Sequence, residues 1–216
     1  MSRSKQKGTK FETAVVRYLN DVDGFPEVER RALAGIADKG DIAGVPDWAL
    51  EAKCVDKMAL GQWAVEAARE AVAAGVDNWA VIHSRKYKPV EESYVTIPLR
   101  CAHVLLGAPV FPGVTDQPKF RDQVAAYMGP LWDGATVDSQ DATGTLGGWA
   151  VDIRCHTGLT LQLWVKAVAD RAGDRPWAVI HSRRLVPISE VYFTTNLQHW
   201  ATHVSRSLAQ VTTLAS

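Results

Sequence analysis

Three ionisable side chains stand close together in one short segment, namely Asp41, Glu51 and Lys53. Residues 48–54 alternate between apolar and charged types, which predicts a strand with Glu51 and Lys53 on the same face. The turn signal at 44–46 would fold Asp41 back beside Glu51. Two carboxylates that converge with a lysine suit metal-assisted phosphodiester hydrolysis. The carboxylates bind Mg²⁺, while metal and lysine activate water and offset the charge that builds on the phosphate.

Asp47 is a second candidate for the first carboxylate, because it directly follows Pro46. Only three residues separate Asp47 from Glu51, which places it on or next to the same strand. Asp41, with nine intervening residues, suits a separate strand end. Two ligands need separate backbone segments to converge on one ion, so we choose Asp41 over Asp47. An ordinary Glu–Lys pair on a surface strand remains the alternative to any metal site.

Residues 5–100 resemble the PD-(D/E)XK nuclease superfamily, and within it the Holliday junction resolvase-like endonucleases of phages and archaea. The resemblance rests on KGTKFE at 7–12, GDIAGVP at 40–46, EAK at 51–53 and the helix that contains Gln62 and Trp63. It implies a metal-dependent DNA endonuclease with an αβββαβ-type core that acts on branched DNA. It also implies a phage or prophage origin and the cytoplasm of a bacterial host.

The resemblance also implies roles for individual residues. Asp41 and Glu51 correspond to the ligands of Mg²⁺, with Mn²⁺ as an alternative metal, and Lys53 to the catalytic lysine. Glu12 corresponds to the first-helix carboxylate that completes the site. Gln62 stands where members of the superfamily often place a polar helper on the following helix.

The chain repeats itself. WAVIHSR at 79–85 recurs residue for residue at 177–183, and WALEAKC at 48–54 pairs with WAVDIRC at 149–155. Residues 10–19 pair in the same order with 119–128. The sequence therefore predicts two copies of one unit, at about 10–106 and 119–205.

Each copy has the pattern of a small mixed α/β unit. Phe11, Val15 and Leu19 have helical spacing, residues 60–71 mark a second amphipathic helix, and 79–83 is an apolar run of buried-strand type. Together with the resemblance, this predicts two tandem restriction-endonuclease-like cores, each a mixed sheet flanked by helices. The predicted domains are a nuclease unit at 1–106, a linker at 107–118 and a second copy at 119–216.

The second copy differs from the first at the candidate chemical residues. Glu12 is replaced by Arg121, Glu51 by Asp152, and Lys53 by Arg154, whose pKa is too high for proton exchange. Asp41 pairs with Asp141 only after a one-residue shift. We therefore interpret the second copy as degenerate and expect it not to bind catalytic metal. His83 and His181 occur in both copies, which favours a structural or phosphate-contacting role for them.

The chain carries 24 basic and 24 acidic side chains, so its formal net charge is zero. Neutrality excludes binding of nucleic acid by bulk positive charge, but not by a local basic face. Four basic residues and no acid occur in the first ten positions, which predicts a mobile arm that grips phosphates or, alternatively, a solubilising terminus. The candidate DNA-binding residues are Lys5, Lys7, Lys10, Arg30, Arg31 and Arg85.

Three cysteines without CxxC spacing argue against a disulfide framework and a structural zinc site. A basic, polar start and the absence of a long apolar run predict no signal peptide and no membrane span. Two rival functions remain open: a nuclease of the same chemistry acting on non-branched DNA, and a non-catalytic DNA- or protein-binding module. A homodimer and a pseudo-dimer within one chain are alternative assemblies, which predict paired cuts and nicks respectively.

Overall fold

The computed structural model describes residues 3–25, 27–31, 39–108, 119–136, 141–155, 161–183 and 186–214. They belong to two compact units. Unit one comprises 1–97 together with 196–216, and unit two comprises 98–195. Both are mixed α/β, as the sequence predicts. Most of the predicted linker, 109–118, lies outside the described residues.

Unit one begins with a helix and is built around five strands. In chain order its elements are α1 (Arg3–Asn20), β1 (Glu29–Arg30), β2 (Ile42–Ala43), β3 (Trp48–Lys53), α2 (Leu60–Ala74), β4 (Asn78–His83) and β5 (Tyr94–Pro98). The predicted helices and strands of the first copy are thus confirmed. The predicted mobile basic arm is wrong, because α1 already begins at Arg3 and includes the basic residues in regular helix.

The strands of unit one lie in the order β1-β2-β3-β4-β5. β2 is antiparallel to β3, with Ile42 opposite Leu50, whereas β3 and β4 are parallel, with Lys53 opposite His83. Parallel neighbours need a crossover, and α2 supplies it. Gly75 ends α2 in the left-handed conformation, with a φ of 71°, and lets the chain turn back into β4.

The core of unit one lies on both faces of β3 and β4. One face of β3 carries the buried side chains of Trp48, Leu50 and Ala52. The Trp48 ring meets Trp200 edge to face, with the ring centroids 5.3 Å apart. Trp63 of α2 and Trp79 of β4 are buried as well. The tryptophans of the repeat in unit one therefore form part of its core.

Trp200 belongs to the last helix of the chain, α6 (Leu197–Leu214). This helix follows the second copy in sequence but packs within unit one, where the Leu197 amide donates to the carbonyl of Ser93 over 2.8 Å. Unit two receives the segment that follows β5, and the Leu99 amide there donates to the carbonyl of Val191 over 2.8 Å. The compact units therefore exchange the helices that follow their last strands.

Unit two has the same order of elements. After α3 (Ala102–Leu106) come α4 (Phe120–Met128), β6 (Trp132–Thr136), β7 (Ala142–Leu146), β8 (Trp149–Arg154), α5 (Leu161–Ala172), β9 (Trp177–His181) and β10 (Tyr192–Asn196). β8 and β9 are parallel, with Arg154 opposite His181, and β7 is antiparallel to β8. Among the described residues, no helix is both long enough and apolar enough to cross a membrane.

Candidate active site in unit one

The candidate site lies at the carboxyl end of β3, on the face that α2 covers. Glu51 is only 5% exposed, and its Oε1 forms an ion pair with the Lys53 ammonium. The Lys53 Nζ also lies 3.1 Å from Oε2 of Glu66, which projects from α2. Strand alternation thus places Glu51 and Lys53 on one face, as the sequence predicts. Glu66 therefore holds the Lys53 ammonium from the side of α2.

Asp41 reaches the same strand from the turn before β2. Gly40 has a φ of 92°, and a Cβ there would lie 2.8 Å from the carbonyl oxygen of Leu50, so the backbone approaches β3 closely. The Asp41 amide donates to that carbonyl over 2.9 Å, and Asp41 Oδ2 accepts the amide of Ala52 over 2.9 Å. The structure therefore brings Asp41 to the strand position next to Glu51.

The charges at this site oppose one another. Burial raises the pKa of Glu51 well above its usual value, the negative charges of Asp41 and Glu70 add to the rise, and Lys53 only partly offsets it. Burial by itself would lower the pKa of Lys53, but the hydrogen bonds and charges of Glu51 and Glu66 raise it instead. Lys53 therefore remains an ammonium ion. Its single positive charge does not offset the negative charges of the carboxylates around it.

Asp47 occupies a different place. It is exposed in the turn before β3, with a φ of 62°, and the whole length of the strand separates it from Lys53. Six strand residues span roughly 20 Å. The structure brings Asp41, and not Asp47, to Glu51.

If the chain cleaves DNA with Mg²⁺, as the resemblance implies, Asp41→Asn should lower the cleavage rate at least about 100-fold, because it removes the charge of an expected metal ligand. The variant keeps an oxygen for the Ala52 amide, so its Tm should stay near that of the wild type. Asp47→Asn is the matched control, since asparagine tolerates the left-handed backbone at that position. Cleavage that survives Asp41→Asn but not Asp47→Asn would reverse the ligand assignment.

Glu12 projects from α1 and lies near Asp41. Burial raises the pKa of Glu12, the charge of Asp41 raises it further, and Arg30 counteracts both. The Arg30 Nε lies 2.8 Å from Glu12 Oε2. Asn20 holds the segment before Arg30 against the end of α1, where its side-chain Oδ1 and Nδ2 pair with the amide and the carbonyl of Val28. Arg30, predicted to bind DNA, is thus an ion-pair partner of a site carboxylate.

Two acidic residues of α2 lie at this site but were not among the predicted site residues. Glu66 contacts Lys53 directly, and Glu70, only 6% exposed, acts electrostatically on Glu51. Gln62, the predicted polar helper, is exposed and donates to Glu66 Oε1 over 2.9 Å, so it reaches the lysine only through Glu66. A signal for Glu70 was present: when Trp63 is aligned with Trp164, Glu70 falls opposite Arg171.

The predicted DNA-binding residues do not form one patch. Lys7 and Lys10 line a depression of about 540 Å³ between α1 and residues 54–56, beside the end of β3. Lys7 forms an exposed ion pair with Asp56 at 3.1 Å, and Lys5 is also exposed on α1. Arg31 is partly buried, and its Nε is among the buried nitrogens without a hydrogen-bond partner in the described residues.

At the corresponding place in unit two, positive and negative charges balance. Arg154 lies 2.6 Å from Asp152 Oδ2 and 3.1 Å from Asp141 Oδ2, and Arg171 forms an ion pair with the other oxygen of Asp152. Asp141 also accepts the amide of Cys155 over 3.0 Å. Two guanidinium groups thus neutralise two carboxylates. Arg171 occupies the helix position that Glu70 has in unit one.

The two repeated histidines are enclosed by aromatic rings. The His83 ring lies 5.7 Å from Trp63 and 5.0 Å from Tyr94, and His181 stands equally close to Trp164 and Tyr192, at 5.9 and 5.1 Å. The Arg85 guanidinium covers the Tyr94 ring at 4.7 Å, and Arg183 covers Tyr192 at 5.4 Å. These contacts support the structural interpretation of both histidines, and Arg85 takes part in the same packing.

Unit two should lose stability in acid because of His181. Burial lowers the pKa of His181 to about 3, against 6.5 for an unburied histidine. The contribution of neutral, buried His181 to the free energy of unfolding is therefore complete above pH 6.5. It is lost as the pH falls towards 3, at about 1.4 kcal/mol per pH unit. We expect urea unfolding to show that the wild type has a higher free energy of unfolding than His181→Gln at pH 7, and that this difference narrows by pH 4.5. A difference independent of pH would contradict this prediction.

The residues present fit Mg²⁺ rather than a closed protein metal site. Among the described residues, no group of three or more histidine, cysteine, aspartate or glutamate side chains is arranged to hold a metal ion. Asp41 and Glu51 are two oxygen donors in a region with too little positive charge. Proteins commonly hold Mg²⁺ through one or two carboxylates and leave the remaining positions to water and phosphate.

Comparison with protein-family models, curated proteins and solved structures finds no match for this chain. The two halves of the chain can be compared with each other. Trp48, Trp79 and His83 have identical counterparts in unit two, whereas the charged residues at the end of β3 do not. Packing is shared between the halves, and the excess of carboxylates belongs to unit one.

Proposed function

We propose that the chain is a Mg²⁺-dependent DNA endonuclease with one active site, in unit one. The observation that carries this proposal is the meeting of Asp41, Glu51 and Lys53 at one strand end, with more carboxylate than positive charge around it. Burying carboxylates near one another is costly unless a cation joins them. A divalent cation would meet that need, and a cation held there could in turn bind the anionic phosphodiester.

Each residue of the site has a distinct task in this proposal. Asp41 and Glu51 would hold Mg²⁺, which when bound supplies positive charge for the phosphate and helps to activate water. Lys53 acts as a fixed cation that stabilises the charge developing on the phosphate, because its raised pKa makes it a poor base. Glu66 positions Lys53 at 3.1 Å. Water adds to phosphorus and gives up a proton to solvent, the ester P–O bond breaks, and the departing oxygen takes a proton from solvent to leave as a hydroxyl group.

The fold and the substrate belong to the same proposal. The order α1-β1-β2-β3-α2-β4 agrees with the αβββαβ core expected of a PD-(D/E)XK nuclease, and the matching order in unit two supports a tandem, degenerate copy. The resemblance to resolvase-like endonucleases favours branched DNA. Lys7 and Lys10, in the depression beside β3, are suited to the phosphates that lead into the site.

The test uses a labelled four-way junction, a matched linear duplex and a matched single strand, each with Mg²⁺ or with EDTA. We expect cleavage of the junction that requires Mg²⁺ and exceeds cleavage of the duplex. Equal cleavage of junction and duplex would favour the rival nuclease of non-branched DNA. Binding without cleavage of any substrate at any Mg²⁺ concentration would favour the non-catalytic module and overturn the enzyme.

The assembly is tested on the same junction. A chain that works alone, with unit two in the place of a partner, would nick one strand. A homodimer of whole chains would cut two strands within the lifetime of one complex. The ratio of nicked to doubly cut junction, measured as protein concentration rises, distinguishes the two.

A further inference from the structure

The turn between β4 and β5 presents an aromatic ring to solvent. Tyr87 is 91% exposed, and its φ of 61° lies in the left-handed region, which a bulky side chain rarely adopts. Its neighbours in the turn are basic, since Lys86 precedes it and Lys88 follows it. The Lys86 ammonium lies 4.9 Å from the centroid of the Tyr87 ring. The turn thus displays a solvent-exposed ring among cations, with the Lys86 ammonium over one face.

This turn begins at the proposed active site. Lys53 and His83 are opposite each other in the parallel pair β3 and β4, and the Ser84 amide donates to the carbonyl of Lys53 over 3.0 Å. Three residues of extended chain span at most about 10 Å. The ring of Tyr87 therefore lies within a few nucleotides' reach of the phosphate that Lys53 would contact.

The base of the turn is anchored, and its tip is not used by the fold. Arg85 lies over the Tyr94 ring, and Lys88 pairs with Glu92 at 3.0 Å. These contacts fix both ends of the turn and leave the Tyr87 ring outside the core. A tyrosine whose ring lies outside the core, yet keeps a strained backbone, points to a role outside folding.

Unit two lacks the aromatic ring in its sequence. Alignment of the repeat places Leu185 opposite Tyr87 and Val186 opposite Lys88, whereas the arginines at 85 and 183 are the same. The ring thus occurs only in the copy that carries the carboxylate-rich site. The ring therefore occurs together with the proposed active site, and it is not among the packing residues that both units share.

We propose that Tyr87 is a stacking platform for an unpaired nucleobase on the DNA strand that passes through the site, with Lys86 beside it for a phosphate. The inference rests on the proposed function and names its substrate class as DNA with unpaired bases at or near the scissile position. Bases inside an intact duplex already stack on both faces. Only a single strand, a strand end or a branch point offers a free base face.

The test measures binding by fluorescence anisotropy with Ca²⁺ in place of Mg²⁺, so that it does not depend on cleavage. The probes are a short single strand, its duplex, and the same single strand with abasic sites. Tyr87→Ala should weaken binding of the intact single strand roughly 5- to 100-fold, as expected for loss of one stacked base. Tyr87→Phe, which keeps the ring, should bind as the wild type does. Because Tyr87 is outside the core, both variants should keep the wild-type Tm.

The abasic strand separates stacking from other causes. The effect of Tyr87→Ala should disappear there, because no base face remains. An equal loss on intact and abasic strands, or no loss on either, would overturn the stacking platform. If the wild type cleaves no DNA with Mg²⁺ while the Tyr87 effect persists, the nuclease proposal fails and stacking stands. If cleavage is normal and the Tyr87 effect is absent, only the stacking platform fails.

Discussion

Glu51→Gln should abolish cleavage while leaving the protein folded. The substitution keeps the shape of a side chain that is 5% exposed and removes the charge that would hold Mg²⁺. Loss of one such electrostatic contact lowers rates about 10²- to 10³-fold, and loss of the ion itself lowers them further. The measurement is single-turnover cleavage of the four-way junction with saturating Mg²⁺.

The fold should tolerate this change for a specific reason. Burial and the charges of Asp41 and Glu70 raise the pKa of Glu51, so its ionised form is costly in the folded protein. Glutamine avoids that cost, and Lys53 keeps its second partner, Glu66, at 3.1 Å. The Tm of Glu51→Gln in EDTA should therefore equal or exceed that of the wild type.

Asp152→Asn is the matched control at the same strand position of unit two. Asp152 is buried and receives Arg154 and Arg171, so its loss should lower the Tm by several degrees, which corresponds to about 1–3 kcal/mol. Its cleavage rate should stay close to that of the wild type. The two variants thus affect activity and stability in opposite ways. Loss of cleavage in Asp152→Asn at a temperature where it is folded would show that unit two takes part in the chemistry.

Glu70→Arg should convert the site of unit one into a copy of the site in unit two. The variant places a guanidinium beside Glu51, where Arg171 stands beside Asp152 in unit two. The new cation would neutralise the carboxylates and occupy the region that Mg²⁺ needs. We expect cleavage to fall at least about 100-fold. Binding of Mg²⁺ should raise the Tm of the wild type, and this rise should disappear in Glu70→Arg.

Glu70→Gln distinguishes removal of a negative charge from insertion of a cation. It relieves the repulsion with Glu51 without filling the site, so it should keep a measurable response of Tm to Mg²⁺. In EDTA, Glu70→Arg should be the more stable of the two, since it alone adds an ion-pair partner for Glu51. Full activity in Glu70→Arg would refute the assignment of a metal to this cluster.

The arginines of unit two also explain how its carboxylates can be buried without a metal. A carboxylate cluster without its metal destabilises a fold, because each buried negative charge raises the cost of the next. Arg154 and Arg171 remove that cost in unit two without any ion. Removing one partner from such a buried group is costly, which favours retention of the whole set once it is in place.

The local features of this protein could be predicted from its amino-acid sequence. Hydrophobic periodicity located α1, β3, α2 and β4, and the identical heptapeptides at 79–85 and 177–183 established the repeat. The alternation of a strand placed Glu51 and Lys53 on one face. Each of these features depends on residues only a few positions apart, so the chain's own periods encode them. The basic residues at the start of the chain led to the wrong prediction of a mobile arm, because charge alone does not reveal that a helix begins at Arg3.

Contacts between residues far apart in the sequence depend on the tertiary structure. The pairing of β2 with β3 sets Asp41 on the Ala52 amide and leaves Asp47 at the other end of the strand. The crossover through α2 places Glu66 and Glu70 beside the end of β3. The C-terminal helix α6 packs within unit one, although it follows the second copy in sequence. Register, crossover and helix exchange depend on contacts between residues far apart in sequence. No period within a segment specifies such contacts, and they alone concentrate the carboxylates in unit one and pair the arginines with aspartates in unit two.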